Sequence, residues 1–419
     1  MKIKLIKKSY QEVMAIPEEK HRPPKKPNWF FRTLLKLVSL PDLWATGFRC
    51  HKVGMERLEK REPCLYLMNH SSFLDLEIVA GSLYPRPFNI VATTDSFVGK
   101  GWLMRQIGCI PTKKFVAELE LLRDIKTALH KQKTSVVMFP EAGYSFDGCA
   151  AALPDSLGKF LKRMAVPVVM IRTDGAFSRD PLYNGLQRRK VKVSAEMKYL
   201  LSAEEIGEKS PEELNRILAE EFSFDGFRWQ QENQVRISEG FRADGLHRVL
   251  YRCPHCEAEG QTEGLGTRWS CKACGKTYEL DEYGYLRAED GDGAFHHVPD
   301  WFRWERACVR RELEEGEYRF ESSVRICMAV DTKHIYEVGR GVLIHTAEGF
   351  RLVGCDGELE YAQSPKASHS ICADFNFYEI GDVICLGNRE ALYYCFPEED
   401  VPVAKVRLAA EELYRMMMR

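Results

Sequence analysis

The first half of the chain alternates short apolar runs with segments of helical hydrophobic spacing, the rhythm of an α/β domain whose sheet is buried on both faces. Cys64–Met68 (CLYLM) predicts a buried strand that stops abruptly at Asn69-His70-Ser71-Ser72. The next segment, Phe73–Leu83, predicts a helix capped by Ser71 or Ser72 with Asp75 in its first turn. Ile107–Ile110, Val136–Phe139 and Val166–Ile171 predict three more strands. Between them, Phe115–Lys133 sets Leu119, Leu122, Ile125 and Leu129 at helical spacing, and Asp155–Met164 predicts a short helix. Lys190–Met197 alternates as a half-exposed edge strand should, and Ser202–Phe222 is acidic and helical.

The second half has a different pattern. Cys253-Pro254-His255-Cys256 and Cys271-Lys272-Ala273-Cys274 form two C-x2-C knuckles followed by Gly275. That spacing predicts a small ribbon in which Cys253, Cys256, Cys271 and Cys274 bind one structural zinc, with no open position for a catalytic water. Free reduced thiols are the plainer alternative. The ribbon's mixed charge (Arg252, Lys272 and Lys276 against Glu257, Glu259, Glu263 and Glu279) suits a protein partner and is poor footing for a nucleic-acid backbone. A linker at Gly291-Asp292-Gly293 precedes an aromatic, charged helix opening at Val298. From Tyr318 to Cys395 short β-rich runs alternate with turns, and a helix from Val401 to Met417 follows. Several antiparallel strands closed by one helix resemble a pleckstrin-homology or GRAM-type barrel, with the aromatics as core.

Length and composition fit two or three domains: 419 residues, 45% apolar, net charge -1. The near-zero charge argues against broad nucleic-acid affinity. Fourteen cysteines without a secretion signal predict a reducing compartment. No apolar stretch reaches the length of a membrane span. The basic, proline-rich linker Lys20–Lys26 leads into Trp29–Leu40, an apolar run with Arg32 and Lys36 four residues apart. A helix there predicts contact with a membrane surface, aromatics buried and cations on lipid phosphate; a helix packed on the protein is the alternative. The expected layout is an N-terminal membrane-contact region over 1–50, the α/β domain over 51–225, a linker helix over 226–250, the ribbon over 251–290 and the β-rich domain over 291–419. The expected location is cytoplasmic, peripheral at the inner face of the membrane.

The chemistry is read from His70 and Asp75. Helical side chains lean toward the N-terminus, so a first-turn Asp75 can hold one nitrogen of His70 at the strand end and leave the other as a base. Among eleven histidines the spacing alone is weak. A strand-to-helix turn is, however, where open α/β sheets place ligands.

Four blocks in order, Asn69-His70-x4-Asp75, Ile107–Lys114, Val136–Gly143 and Val166–Ile171, resemble the glycerolipid acyltransferase superfamily over roughly Cys50 to Met197, most nearly the bacterial 1-acylglycerol-3-phosphate acyltransferases. The resemblance implies an α/β domain with a mixed sheet, and transfer of a fatty acyl chain from acyl-CoA or acyl carrier protein to the free hydroxyl of a lysophospholipid acceptor. It implies His70 as general base oriented by Asp75. Thr112, Lys113, Lys114, Glu141 and Gly143 would hold the acceptor and its phosphate, with Arg172 able to compensate. Two departures stand out. Lys114 occupies the place of the usual phosphate-gripping arginine, and Ala142-Gly143-Tyr144 replaces a glycine-led, arginine-bearing stretch. These departures favour a second reading, a silent scaffold that binds protein or lipid partners through the ribbon and β domain. Intact His70 and Asp75 favour the enzyme.

Overall fold

The computed structural model describes residues 3–114, 119–367 and 369–418. The first four residues of the helix expected over Phe115–Lys133 lie outside them. Its remainder is the helix Leu119–Lys126 and a wider turn, Thr127–Lys131.

Seven strands form the sheet of the first half, in the spatial order Arg49–Val53, Ser194–Leu201, Val168–Asp174, Leu65–Met68, Ser135–Met138, Phe88–Thr93 and Cys109–Thr112. Five of them run parallel in sequence across the sheet, and Ser194–Leu201 runs antiparallel to Val168–Asp174. The expected mixed sheet is therefore present. Ser194–Leu201 alternates between half-buried and buried positions, but it is not the edge, because Arg49–Val53 pairs outside it.

The two faces of the central strand enter different cores. Tyr66 and Met68 pack with Leu74, Ile78 and Leu83 of the helix Leu74–Leu83. Leu65 and Leu67 pack with Leu129, Leu161, Leu214 and Leu218 on the opposite face. A sheet covered on both sides needs apolar residues at consecutive positions, which is why the LYLM run is continuous rather than alternating.

The β-rich half is an antiparallel sheet in the order Leu359–Gln363, Gly349–Gly354, Ile335–Thr346, Phe320–Ala329, Leu392–Pro397, Gly381–Gly387 and Cys372–Phe377. Two meanders, Phe320–Gln363 and Cys372–Pro397, join where Phe320–Ala329 pairs with Leu392–Pro397. Six of the seven strands and the closing helix Val403–Met417 fall on the predicted runs, and Leu359–Gln363 is the addition. An eighth strand comes from the far end of the chain. Leu5–Lys7 pairs in parallel with Ile335–Glu337, and the Ser9-capped helix Tyr10–Met14 buries Val13 in the same core. The expected membrane-contact region over 1–50 is corrected accordingly: its first residues belong to the C-terminal sheet.

The four-stranded ribbon sheet does not form a separate core. Trp269 packs edge-to-face with Trp301 of the long helix Val298–Glu315, centroids 4.5 Å apart, and donates its indole N–H to Leu250 O at 2.9 Å. One continuous apolar cluster runs from Cys253 and Trp269 through Trp301 to Ile326 and Leu413, and it also takes in Phe146, Phe177 and Tyr183 of the first half. A ribbon of this size buries too little surface alone, so it shares its neighbours' core.

Helix Trp29–Ala45 lies against Leu74–Leu83, close enough that a Cβ at Gly81 would meet Leu43 at 2.6 Å. Its apolar side faces outward, with Trp29 68%, Val38 66% and Trp44 74% exposed. Arg32 instead donates to Pro85 O at 2.8 Å, and Lys36 sits 4.3 Å over the Tyr84 ring. The expected arrangement had these two cations facing lipid; both turn to the protein. Among the described residues no helix is long and apolar enough to cross a membrane.

Candidate active site

His70 follows the central strand directly, and three neighbours fix the turn that carries it. Asn69 Oδ1 accepts from the Thr173 backbone N–H at 2.9 Å, tying the turn to the adjoining strand end. Glu141 Oε2 accepts the His70 backbone N–H at 2.9 Å, and its other oxygen accepts from Ala151 N at 2.7 Å. The His70 carbonyl accepts from Ser145 N at 3.2 Å.

Asp75 completes the arrangement. Its Oδ2 accepts from His70 Nδ1 at 2.8 Å and from the backbone N–H groups of Ser71 and Ser72 at 2.9 and 3.2 Å. Ser72 Oγ takes the Leu74 N–H at 3.0 Å, as a residue opening a helix does. Asp75 is 1% exposed and His70 keeps 24% of its side chain in solvent. With Nδ1 held as donor to a carboxylate, Nε2 is the acceptor nitrogen, and it has no hydrogen-bond partner among the described residues. The imidazole lies between Phe139 and Tyr144, with centroids 4.4 and 4.3 Å away. Rings on both faces leave the Nε2 edge as the way in. The arrangement can take a proton from a hydroxyl delivered along that edge.

The His-x4-Asp spacing is not unique to this turn. His369 and Asp374 repeat it, but Asp374 lies on the extended strand Cys372–Phe377.

The electrostatics of the turn come from burial. Glu141 is pushed up to about 7 by desolvation, which the His70 and Ala151 N–H groups only partly offset. Asp180, beside Ser72, is likewise raised to about 7 by burial, against the pull of Ser72 and Arg179. The Tyr144 phenol is pushed well above its ordinary value by burial and then by Asp75, Asp374 and Asp180.

The other expected acceptor residues are not gathered at His70. Lys114 Nζ pairs with Asp95 at 2.8 Å and lies over the rings of Phe377 and Tyr394 at 5.5 and 5.8 Å. Burial alone would raise the Asp95 carboxyl, and Lys114, with hydrogen bonds from Thr93 and the Ser96 backbone, more than offsets it; a buried charge of this kind needs its counter-ion. Lys113 donates to Arg389 O at 2.7 Å and pairs with Glu18 at 3.2 Å. Thr112 ends the edge strand, its hydroxyl 3.4 Å from Lys113 O. Arg172 lines a separate small cavity with Ser71, Asp174, Asp225 and Trp229. Ala142 holds a left-handed φ of +57°, an unfavourable setting for a residue with a Cβ, and Gly143 beside it borders open space. Sequence reasoning singled out Glu141 for the acceptor rather than for its clamp on the His70 backbone, and missed the stacking of Tyr144 and the burial of Asp180 beside Ser72. The signals available were Glu141 in the third block and Tyr144 in the stretch that departs from the family's pattern.

The four cysteines of the ribbon are brought together as expected. Cys253 and Cys274, and likewise Cys256 and Cys271, have sulfurs 3.7 Å apart, and all four ligand atoms lie within 4.8 Å of one another. A tetrahedron with metal–sulfur bonds of about 2.3 Å has edges of about 3.8 Å, so the set fits one divalent ion. Each knuckle turns alike: Glu257 N donates to Cys253 O and Gly275 N to Cys271 O, both at 2.9 Å, from left-handed φ of +56° and +75°. The thirteen cysteines with described side chains are all free thiols.

Part of the chain is similar to known proteins. Residues 49–173 match the family model described as acyltransferase, so the chain carries an acyltransferase domain there. It is 28% identical over 156 residues to a chloroplastic 1-acyl-sn-glycerol-3-phosphate acyltransferase of Brassica napus, covering 36% of this chain and 43% of that protein. It is 29% identical over 146 residues to the corresponding chloroplastic enzyme of Arabidopsis thaliana, covering 32% and 40%. The chain thus spans about two-fifths of the length of these curated relatives. A crystal structure of the 1-acyl-sn-glycerophosphate acyltransferase PlsC from Thermotoga maritima aligns with 46% of this chain and 76% of its own, at a TM-score of 0.35 and 18% identity.

Replacing Glu141 tests the clamp. Glu141→Gln leaves one of two buried N–H donors without an acceptor, at a cost of about 1–3 kcal/mol. The folded carboxyl titrates near 7 and the unfolded one near 4.5. The folded chain therefore binds this proton more tightly, and the stability it contributes is present below 4.5 and lost as pH rises through 7. Thermal midpoints across that range should show the wild type's advantage over the variant shrinking as pH rises. A constant difference would contradict the raised pKa.

Proposed function

We propose that this chain moves a fatty acyl group from a thioester, acyl-CoA or acyl carrier protein, to the free hydroxyl of a lysophospholipid-like membrane acceptor. The observation that carries the reading is the 2.8 Å bond from His70 Nδ1 to the buried Asp75, with Nε2 left unbonded. Nε2 takes the hydroxyl proton as the acceptor oxygen attacks the thioester carbonyl. The tetrahedral intermediate collapses by breaking the C–S bond, and the imidazolium returns its proton to the departing sulfur. Asp75 keeps the ring in one tautomer and stabilises its charged form. No covalent intermediate on the chain is needed. His70→Ala should lower turnover about 10²–10⁴-fold, measured with both thioesters and a panel of lysolipids, while circular dichroism stays unchanged. A folded His70→Ala protein with undiminished turnover rules out the base.

The acceptor lives in a membrane, and the outward apolar side of Trp29–Ala45 supports peripheral attachment there. Leu37 and Val38 are exposed on it, and Trp102 lies beside it, 5.6 Å from Phe31. A face of this kind inserts its apolar residues at the headgroup boundary. Leu37→Glu with Val38→Glu should cut co-sedimentation with phospholipid vesicles at least about tenfold, since charged residues are costly there. Equal binding by the variant would remove this face from the membrane contact.

Cys253, Cys256, Cys271 and Cys274 would hold one structural zinc, supplying folding energy and no chemistry to the transfer step. Elemental analysis should find about one zinc per chain. Because the ribbon shares its core with the β-rich half, Cys271→Ser should lower the thermal midpoint of the whole C-terminal unit. Separate melting of the ribbon alone would mean that its core is independent. The strand order and closing helix of that half support the pleckstrin-homology or GRAM-type likeness.

A further inference from the structure

The ring that covers His70 is carried by a loop with no helix or strand of its own. Tyr144 lies 4.3 Å from the imidazole, and the next residue, Ser145, gives its N–H to His70 O at 3.2 Å. On the near side the loop starts from Ala142 in its left-handed conformation and from Gly143, which borders open space. Phe73 also lies beside the Tyr144 ring, 6.0 Å away, and is itself 62% exposed. An exposed ring is a poor backstop, so the place of Tyr144 is set from the far end of the loop.

That far end is anchored in the C-terminal half. Phe146 is buried and packs 4.4 Å from the Phe375 ring, in the hairpin Cys372–Gly387 of the C-terminal sheet. The guanidinium of Arg407, on the closing helix, lies 4.3 Å over the same Phe146 ring. Glu411 fixes Arg407 at 3.0 Å and is itself held by Arg306 at 2.7 Å. Phe146 and Phe375 belong to the apolar cluster that runs through the ribbon and the C-terminal sheet, and Tyr144 packs at its margin. Ser145 alone separates the ring on His70 from the side chain buried in the distant half.

We propose that Phe146, Phe375 and Arg407 are positioning residues for acyl transfer: they seat the loop so that the Tyr144 ring stays on the imidazole of His70. His70 becomes a cation when Nε2 takes the acceptor's proton. Phe139 and Tyr144 then present electron-rich faces on either side of it, with Asp75 at Nδ1. A ring face attracts a cation, and this attraction arises as the charge forms. The stack therefore favours the transition state over the resting enzyme, and it restricts the imidazole to the plane in which Nε2 meets the hydroxyl. The inference rests on the acyl-transfer reading and adds the C-terminal half to the machinery of that step.

The test is a double-mutant cycle on the full chain, with the thioester and lysolipid that the wild type turns over fastest. Tyr144→Ala should lower kcat about three- to thirtyfold and leave KM for either substrate within about twofold, because the ring acts on charge formed in the step. Phe375→Leu should lower kcat by about as much in the wild-type background, and add less than about twofold in the Tyr144→Ala background. A side chain that merely supports folding would lower kcat equally in both. If Phe375→Leu does not fold, Arg407→Met goes through the same cycle, since Arg306 still holds Glu411 and no buried carboxylate is stranded. Arg407→Lys should then recover most of the loss by restoring a cation over Phe146. Equal losses in both backgrounds, or undiminished kcat in the folded single variant, overturn this inference and leave acyl transfer standing. A wild type that transfers no acyl group overturns the acyl-transfer reading and this inference with it.

Discussion

One carboxylate oxygen organises the His70 end of the sheet. Asp75 Oδ2 accepts from the imidazole and from two successive backbone N–H groups, so the bonds that orient the ring also fold the turn. Hydrogen bonds to a charged acceptor are worth about 1.5–3 kcal/mol each, more than the neutral bonds around them. Removing the carboxylate would therefore disturb ring and backbone together. Glu141 repeats the logic from the next strand over, holding the same turn by the His70 N–H. Two buried carboxylates on one short loop leave it little freedom.

What could be read from the sequence follows from how local each feature is. The strand Leu65–Met68, the helix after it and the His70–Asp75 bond are fixed within a few residues by side-chain direction and spacing. The cysteine knuckles are local too, and their pairing needs only one hairpin's return. Partners far apart in the chain left no such trace. Glu141 meets His70 across 71 positions. Lys114 looked like a ligand-facing cation, and nothing in its neighbourhood revealed that Asp95 would claim it. The strand Ser194–Leu201 had the alternation of an edge, because half-burial on one face looks the same with or without an outer neighbour.

The C-terminal half is more than an appendage to the acyltransferase domain. Its hairpin reaches Phe146 and Lys114, its terminal helix brings Arg407 to Phe146, and its core continues into the ribbon and into Phe177 and Tyr183. The matched segment 49–173 contains His70 and Asp75, whereas Phe375 and Arg407, which pack on Phe146, lie outside it.

The pairing of Leu5–Lys7 with Ile335–Glu337 bears on how the protein is made. A ribosome delivers the two strands more than three hundred residues apart, and at about 5–20 residues per second the first waits on the order of tens of seconds for the second. During that interval the acyltransferase sheet can close, since its strands all lie between Arg49 and Leu201. The early strand stays an unpaired edge until the distant half emerges. The lysine-rich start, with Lys4, Lys7 and Lys8 around an apolar pair, is the kind of charge that keeps a waiting edge from joining the wrong neighbour.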